Sequence, residues 1–326
     1  MTSEQIKALV TAPFRGPGFD TLRELGDVVY DPWIEHQPLR LYNGEQLAAR
    51  VEEEGANVLI VESDSVKGPV LDLPLLAIGS CRGDPNNVDI ETATARGIPV
   101  LRAPGRNADA VAELTVALLM AVTRGIVPAD DDVRAGEVYR DGTIPYQRYR
   151  AWQVAGQTAG LVGLGAVGRA TRWRLEGLGM RVIAADPYAA DATHPLPALL
   201  EESNVVSMHA VVNSDTVGLI GANEFARMPK GAIFLNSARA ALHDTDALVA
   251  ALQTGHLGGA GLDHFEGEDL AVDHPLTGMK NVVLTPHIGG ATYDTEANHS
   301  RLIADDLVRL LEGEPPVNIV NPEVLE

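Results

Sequence analysis

One run of twelve residues, Thr158-Ala159-Gly160-Leu161-Val162-Gly163-Leu164-Gly165-Ala166-Val167-Gly168-Arg169, constrains the fold of this chain more than any other. A short apolar stretch enters Gly-x-Gly-x-x-Gly, and a helical pattern over Ala170 to Leu178 follows at once. Each glycine meets a separate need. Gly163 permits a tight turn, Gly165 lets backbone approach a pyrophosphate, and Gly168 lets the helix pack closely on its strand. The helix N-terminus, with Ala166 and Val167 in reach of the phosphates, offers unpaired N–H groups and roughly half a positive charge. A second apolar strand, Met180 to Ala185, ends in Asp186, 23 positions after Gly163. An acid there can accept both hydrogen bonds of an adenosine ribose diol and repels a 2′-phosphate. Asp186-Pro187 can also be read as a plain strand-ending turn, and a lone glycine fingerprint is weak. The spacing favours a dinucleotide site, and NAD over NADP.

With 326 residues there is material for two domains, each with its own core. Forty-five acids against 25 bases give a formal charge of −20, which opposes any polyanionic partner, so neither nucleic acid nor membrane is expected. One cysteine, Cys81, excludes an intrachain disulfide and a multi-thiolate metal site, and no metal is expected. The start, Met1 to Val10, lacks the long apolar region of a signal peptide, and no run of twenty apolar residues occurs. A cytoplasmic location is the expectation.

The first hundred residues alternate strands (Lys7–Ala12, Asp27–Tyr30, Asn57–Val61, Leu75–Gly79, Pro99–Leu101) with helices (Phe19–Leu25, Gly44–Glu54, Val88–Arg96). Such alternation implies a parallel sheet covered by helices, a flavodoxin-like unit ahead of the glycine run. The helical run Asp109–Thr123 suits deep burial or a subunit interface. The polar, Tyr- and Arg-rich segment Asp130–Trp152 reads as an extended arm. Strands at Asn204–Met208, Ala232–Asn236, Gly259–Leu262 and Val282–Leu284 then alternate with helices at Ala222–Met228 and Thr245–Thr254, before a last helix, Thr292–Leu311.

Further motifs stand in order around the glycine run. Asn236-Ser237-Ala238-Arg239, Gly261-Leu262-Asp263-His264-Phe265-Glu266-Gly267-Glu268 and Thr285-Pro286-His287-Ile288-Gly289-Gly290 follow it. Asn87-Val88-Asp89, Arg96-Gly97-Ile98-Pro99-Val100 and Ala103-Pro104-Gly105-Arg106-Asn107-Ala108 precede it. Together, over roughly the whole chain, they resemble the D-isomer-specific 2-hydroxyacid dehydrogenases, which include D-lactate, glycerate and D-3-phosphoglycerate dehydrogenases. The resemblance implies an α/β protein of two Rossmann-like domains. One is a smaller flavodoxin-like substrate domain from residues 1–102 plus 288–326. The other is a doubly wound parallel-sheet NAD-binding domain, 103–287, carrying the helix and arm of a homodimer.

The implied reaction passes a hydride between NAD(H) and a D-2-hydroxy acid/2-oxo acid pair, and its catalytic set would be Arg239, Glu268 and His287. Arg239 can fork two N–H bonds onto carboxylate and ketone oxygens. His287 would be the general acid in reduction and the base in oxidation, with Glu268 holding the imidazole so that its proton is available near neutral pH. Glu266 could pair with His287 instead, but the family pattern places the acid five after Asp263, at Glu268. Ala238, Asp263 and His287 would join the glycine turn in holding the cofactor, although Asp263 could merely end its strand. His264 stands where the family usually has an aliphatic residue, and reads as packing beside the strand end.

The loop from Gly79 to Asn87 departs from the family's Gly-x-Gly, with Asp84-Pro85 in its place. Cys81, Arg82 and Gly83, with Arg239 and His287, are the expected substrate-binding residues. Pro85 removes a backbone donor and Arg82 adds a cation, which would suit a sugar-derived or phosphorylated acid. Arg82 could equally pair with Asp84 in solvent, and Cys81 could be a small packing residue. Arg102 and Arg106 are weaker candidates for the same anion, and Ala240 stands where a glycine is common. Two alternatives remain open at this point: oxidation of phosphite on the same scaffold, and an NAD(H)-responsive binding scaffold of corepressor type.

Overall fold

The computed structural model describes residues 6–326; the first half of the Met1–Val10 stretch lies outside them. In chain order the first elements are β1 (Ile6–Val10), α1 (Pro17–Leu25), β2 (Gly26–Tyr30), α2 (Gly44–Glu54), β3 (Val58–Val61), β4 (Ala77–Ser80), α3 (Ile90–Ala95) and β5 (Val100–Arg102). They form a sheet of order β2-β1-β3-β4-β5 with every pair parallel. β3 and β4 are buried at every residue, as the unbroken apolar runs of strands covered on both faces require. α2 has sharp ends for local reasons. Asn43 and Gln46 cap its start reciprocally, and Gly55 at φ 60° terminates it in the left-handed region.

The chain continues with α4 (Ala108–Arg124), α5 (Ile126–Arg134), α6 (Pro145–Arg148), β6 (Thr158–Val162), α7 (Ala166–Gly177), β7 (Arg181–Ala185), α8 (Leu196–Glu202) and β8 (Val205–Met208). Then come α9 (Ala222–Arg227), β9 (Ile233–Asn236), α10 (Thr245–Gln253), β10 (Gly259–Leu262), β11 (Val282–Leu284) and α11 (Tyr293–Leu311). The second sheet has order β11-β10-β9-β8-β6-β7, again all parallel. Two compact units result, Met1–Asn107 with Thr292–Glu326, and Ala108–Ala291. In each sheet the first strand of the unit lies between its second and third, so the order reverses there. That reversal leaves a crevice at the carboxyl ends of the strands, the place where open α/β sheets take ligands. Among the described residues no single helix is long and apolar enough to cross a membrane.

One sequence expectation needs correction, and one helix was not anticipated. The stretch Asp130–Trp152 is not an extended arm. Gly125 at φ 57° ends α4 and starts α5 at once. The segment then folds around the Asp132 carboxylate, which meets Arg140 at 2.9 Å, Arg148 at 3.2 Å and the Tyr149 hydroxyl at 2.5 Å. The helix α8 had no sequence signal because prolines flank its start, yet a proline in the first turn leaves no intrahelical bond unmade.

Within the first unit, α11 lies against α1 so closely that a Cβ on Gly18 would sit 2.3 Å from the Ser300 carbonyl carbon. Buried His299 fixes this contact. One ring nitrogen donates to the Pro13 carbonyl at 2.5 Å, and the other accepts from Arg106 at 2.7 Å. Burial, and then the Arg106 charge, push its pKa down to about 4. An unfolded chain would protonate the same ring near pH 6.5. Between pH 6.5 and 4 the unfolded chain therefore binds a proton that the folded one refuses, and stability falls as pH falls. Urea midpoints should decline from pH 7 to pH 5, and His299→Gln should make that dependence shallower, the buried His209, His243 and His264 supplying the rest. An unchanged slope in the variant would show that His299 does not contribute to it.

Candidate active site

All the candidate groups of the second unit lie at the carboxyl ends of its strands. The turn after β6 is shaped by what a side chain would strike. Gly163 has φ 99°, and a Cβ there would meet the backbone of His209 and Ala210 at 2.6 Å. A Cβ on Gly168 would lie 2.3 Å from the Gly163 carbonyl oxygen, so the first turn of α7 rests directly on the loop. Gly165 is different, because a Cβ there would meet nothing within 4 Å. Two glycines thus serve internal packing, and the third keeps open the approach to the start of α7, which has no side-chain cap. Ala166, Val167 and Gly168 open that helix, a donor set that fits a pyrophosphate.

Asp186 ends β7 and braces the same turn. One oxygen accepts from the Leu164 N–H at 2.7 Å and the other from the Tyr188 N–H at 2.8 Å. Each oxygen keeps a lone pair suited to a ribose hydroxyl. His209 also belongs here, and the sequence did not mark it. It follows β8, contacts Ser207 Oγ at 2.9 Å, and leaves Nδ1 buried without a partner among the described residues. Burial pushes its pKa down to about 4, so it is a neutral ring beside the glycine turn.

At the end of β9 the buried Asn236 side chain builds a small platform. Its oxygen accepts from the Ala238 and Arg239 N–H groups at 3.0 and 3.2 Å, and its amide donates to the Arg239 carbonyl at 2.8 Å. The loop carrying Arg239 is therefore fixed from beneath. Arg239 Nη1 donates to the Ala238 carbonyl at 2.6 Å and to His264 Nε2 at 3.2 Å. Ala238 thus has both backbone groups engaged within the protein.

Asp263, fully buried after β10, organises the next loop. Its carboxylate accepts from Thr285 Oγ1 at 2.6 Å, Ile288 N–H at 2.9 Å and Gly289 N–H at 2.8 Å. Its carbonyl accepts from the His287 N–H at 2.9 Å. His287 Nδ1 in turn meets Glu268 Oε2 at 2.9 Å, and it is Glu268, rather than Glu266, that makes this contact. His287 and Glu268 both occupy the left-handed backbone region, at φ 54° and 60°, where residues other than glycine are uncommon. The rings of His264 and His287 lie 3.9 Å apart between centroids.

The loop after β4 belongs to the first unit. Cys81 needs correction as a substrate contact: its thiol is fully buried in the core with Ile60 and Leu101, and its N–H is bound to the Val61 carbonyl. Burial also pushes that thiol well above its ordinary pKa. Arg82 donates to the Glu62 carbonyl at 2.6 Å and to Asn86 at 2.7 Å, while Gly83 lies beside Pro104. Arg106 pairs with the Glu62 carboxylate at 2.5 Å.

Comparison with known proteins agrees with this geometry. The family model for the NAD binding domain of D-isomer specific 2-hydroxyacid dehydrogenases matches residues 116–289. A glyoxylate reductase of Thermofilum pendens is 37% identical over 98% of this chain and 96% of its own. Among solved structures, the TT0316 protein of Thermus thermophilus superposes with a TM-score of 0.81 at 36% identity, covering 97% of this chain and 100% of its own. The NAD-complexed D-isomer specific 2-hydroxyacid dehydrogenase of Lactobacillus delbrueckii gives a TM-score of 0.81 at 25% identity, covering 98% and 100%. The chain belongs to the D-isomer-specific 2-hydroxyacid dehydrogenases, NAD-dependent oxidoreductases that interconvert 2-oxo acids and D-2-hydroxy acids.

Proposed function

We propose that this enzyme reduces a small 2-oxo acid of the glyoxylate class, with Arg239 as the anion site, His287 as the proton donor and Glu268 as its orienting partner. The observation that carries this reading is the His287–Glu268 contact at 2.9 Å, built on two left-handed backbone positions. Strained positions persist only where their surroundings over-determine them, and they cluster at functional sites. NAD, when bound, supplies or accepts the hydride. The glycine turn, the start of α7 and Asp186 would hold it.

Each protein group has a defined task. With Nη1 of Arg239 tied back, Nε and Nη2 form the edge that can fork onto a carboxylate and the adjacent ketone oxygen. Glu268 accepts a hydrogen bond from Nδ1–H of His287, which sets Nε2 as the nitrogen that gives a proton to the nascent alkoxide, or removes it in oxidation. Asp263 acts on the loop, keeping His287 in register. A small substrate is supported by the name of the Thermofilum relative and by the state of the first unit's cations. Arg82 and Arg106 are both engaged by Glu62, so a phosphorylated tail would have to displace existing bonds. The reading includes a homodimer in the cytoplasm. Exposed Ile126, Val127 and Val133 on α5, with Tyr139, Tyr146 and Trp152 beyond, supply an apolar face for a second copy.

NADH oxidation should be fast with glyoxylate and slow with phosphorylated 2-oxo acids. His287→Ala should lower kcat by about 10²–10⁴-fold while NADH binding stays intact. Equal turnover by wild type and variant would remove His287 from the reaction. Gly163→Ala should weaken NADH binding and stability together, because φ 99° and backbone at 2.6 Å leave no room for a Cβ. Calorimetry of the variant with and without NADH reads both effects.

A further inference from the structure

Arg239 is exposed and makes no ion pair among the described residues. Its side chain is nevertheless held, by two neutral acceptors on one arm, the Ala238 carbonyl and His264 Nε2. The second acceptor carries information. A guanidinium only donates, so Nε2 of His264 must accept, and the ring proton must sit on Nδ1. Nδ1 is buried and has no hydrogen-bond partner among the described residues. An aliphatic side chain would fill this 4%-exposed place without leaving an N–H unsatisfied. Packing alone therefore does not account for a histidine here. An acidic residue would hold the arginine more tightly but would cancel the charge that a carboxylate substrate needs. An imidazole fixes the cation and leaves its charge whole.

The same ring touches the proton donor. The rings of His264 and His287 lie 3.9 Å apart between centroids, tilted by 50°, so one side chain contacts both groups assigned above to the reacting acid. Burial first, then the neighbouring His287 and Arg239, push the pKa of His264 down to about 4, which keeps its acceptor lone pair free throughout the neutral range.

We propose that His264 is a positioning residue: its imidazole ties back Nη1 of Arg239 and backs the ring of His287, so that the Nε–Nη2 edge of the arginine and the proton donor are presented as one unit. This rests on the roles given above to Arg239 and His287. Its consequence is specific: loss of His264 should damage binding of the acid, not of the nucleotide.

The test is oxalate binding to the enzyme–NADH complex, with glyoxylate kinetics alongside, in wild type, His264→Leu, His264→Met, His264→Gln and Arg239→Ala. The apolar variants should weaken oxalate, and raise KM for glyoxylate, by about tenfold or more, the loss expected for a hydrogen bond to a charged group. Their Kd for NADH and their Tm should stay near wild type. His264→Gln, whose amide oxygen can accept from Nη1, should recover most of the affinity. Equal oxalate binding in all three His264 variants and wild type overturns the proposal. So does a loss shared by Leu, Met and Gln that tracks a lower Tm or weaker NADH binding, because that is structural damage. Arg239→Ala separates the two levels. If it binds oxalate as wild type does, the assignment of Arg239 as anion site fails, whatever His264 does.

Discussion

The arrangement of the site depends on the buried carboxylate of Asp263. Two left-handed residues, His287 and Glu268, contact each other beside the loop it holds, and each left-handed position costs about 1–3 kcal/mol. Asp263 accepts three hydrogen bonds from the loop that carries His287, and bonds to a charged acceptor contribute about 1.5–3 kcal/mol each. At His287 these hydrogen bonds outweigh the strain. Gly289 completes the arrangement, because a Cβ there would lie 3.0 Å from the carboxylate and force the loop away. Asp263 thus belongs with the support of the His287–Glu268 contact.

The same logic recurs one strand away. Asn236 does for Arg239 what Asp263 does for His287: a fully buried polar side chain at a strand end gathers the backbone of the loop that follows. Parallel sheets make this device available. Every strand of the second sheet delivers its carboxyl end to the same edge, so β6, β9, β10 and β11 bring the glycine turn, Arg239, Asp263 and His287 to one side. Side chains distant in sequence meet because the strands run one way, and the buried polar residues at their ends set the geometry.

Much of this was legible in the sequence, for reasons that differ by element. Gly163 and Gly168 were readable because the turn tolerates no Cβ, and β3 because a strand covered on both faces reads as an unbroken apolar run. The capped ends of α2 were local and therefore visible. What was not legible depends on contacts made far along the chain. The arm around Asp132 could not be read without knowing that Arg140, Arg148 and Tyr149 converge on it. The burial of Cys81 follows from core strands on either side, and nothing in its loop announces it. His209 and His264 look like any other histidines until Ser207 and Arg239 are placed beside them.

The formal charge of −20 sharpens the question of how an anionic acid and an anionic cofactor reach this protein at all. At physiological ionic strength the charges of the wider surface are screened beyond about 8 Å, so a ligand near the site responds to the groups beside it. Those groups share one property: their positive character is not offset by a bound acid. The start of α7 has no side-chain cap, so its N–H groups and dipole face outward. Arg239 is restrained by a carbonyl and a neutral imidazole, where most of the chain's arginines sit against aspartate or glutamate. Arg106 shows the contrast within one chain: the Glu62 carboxylate pairs with it and offsets its charge. The same residue type is thus a neutralised fastener beside a carboxylate and keeps its charge whole beside neutral acceptors.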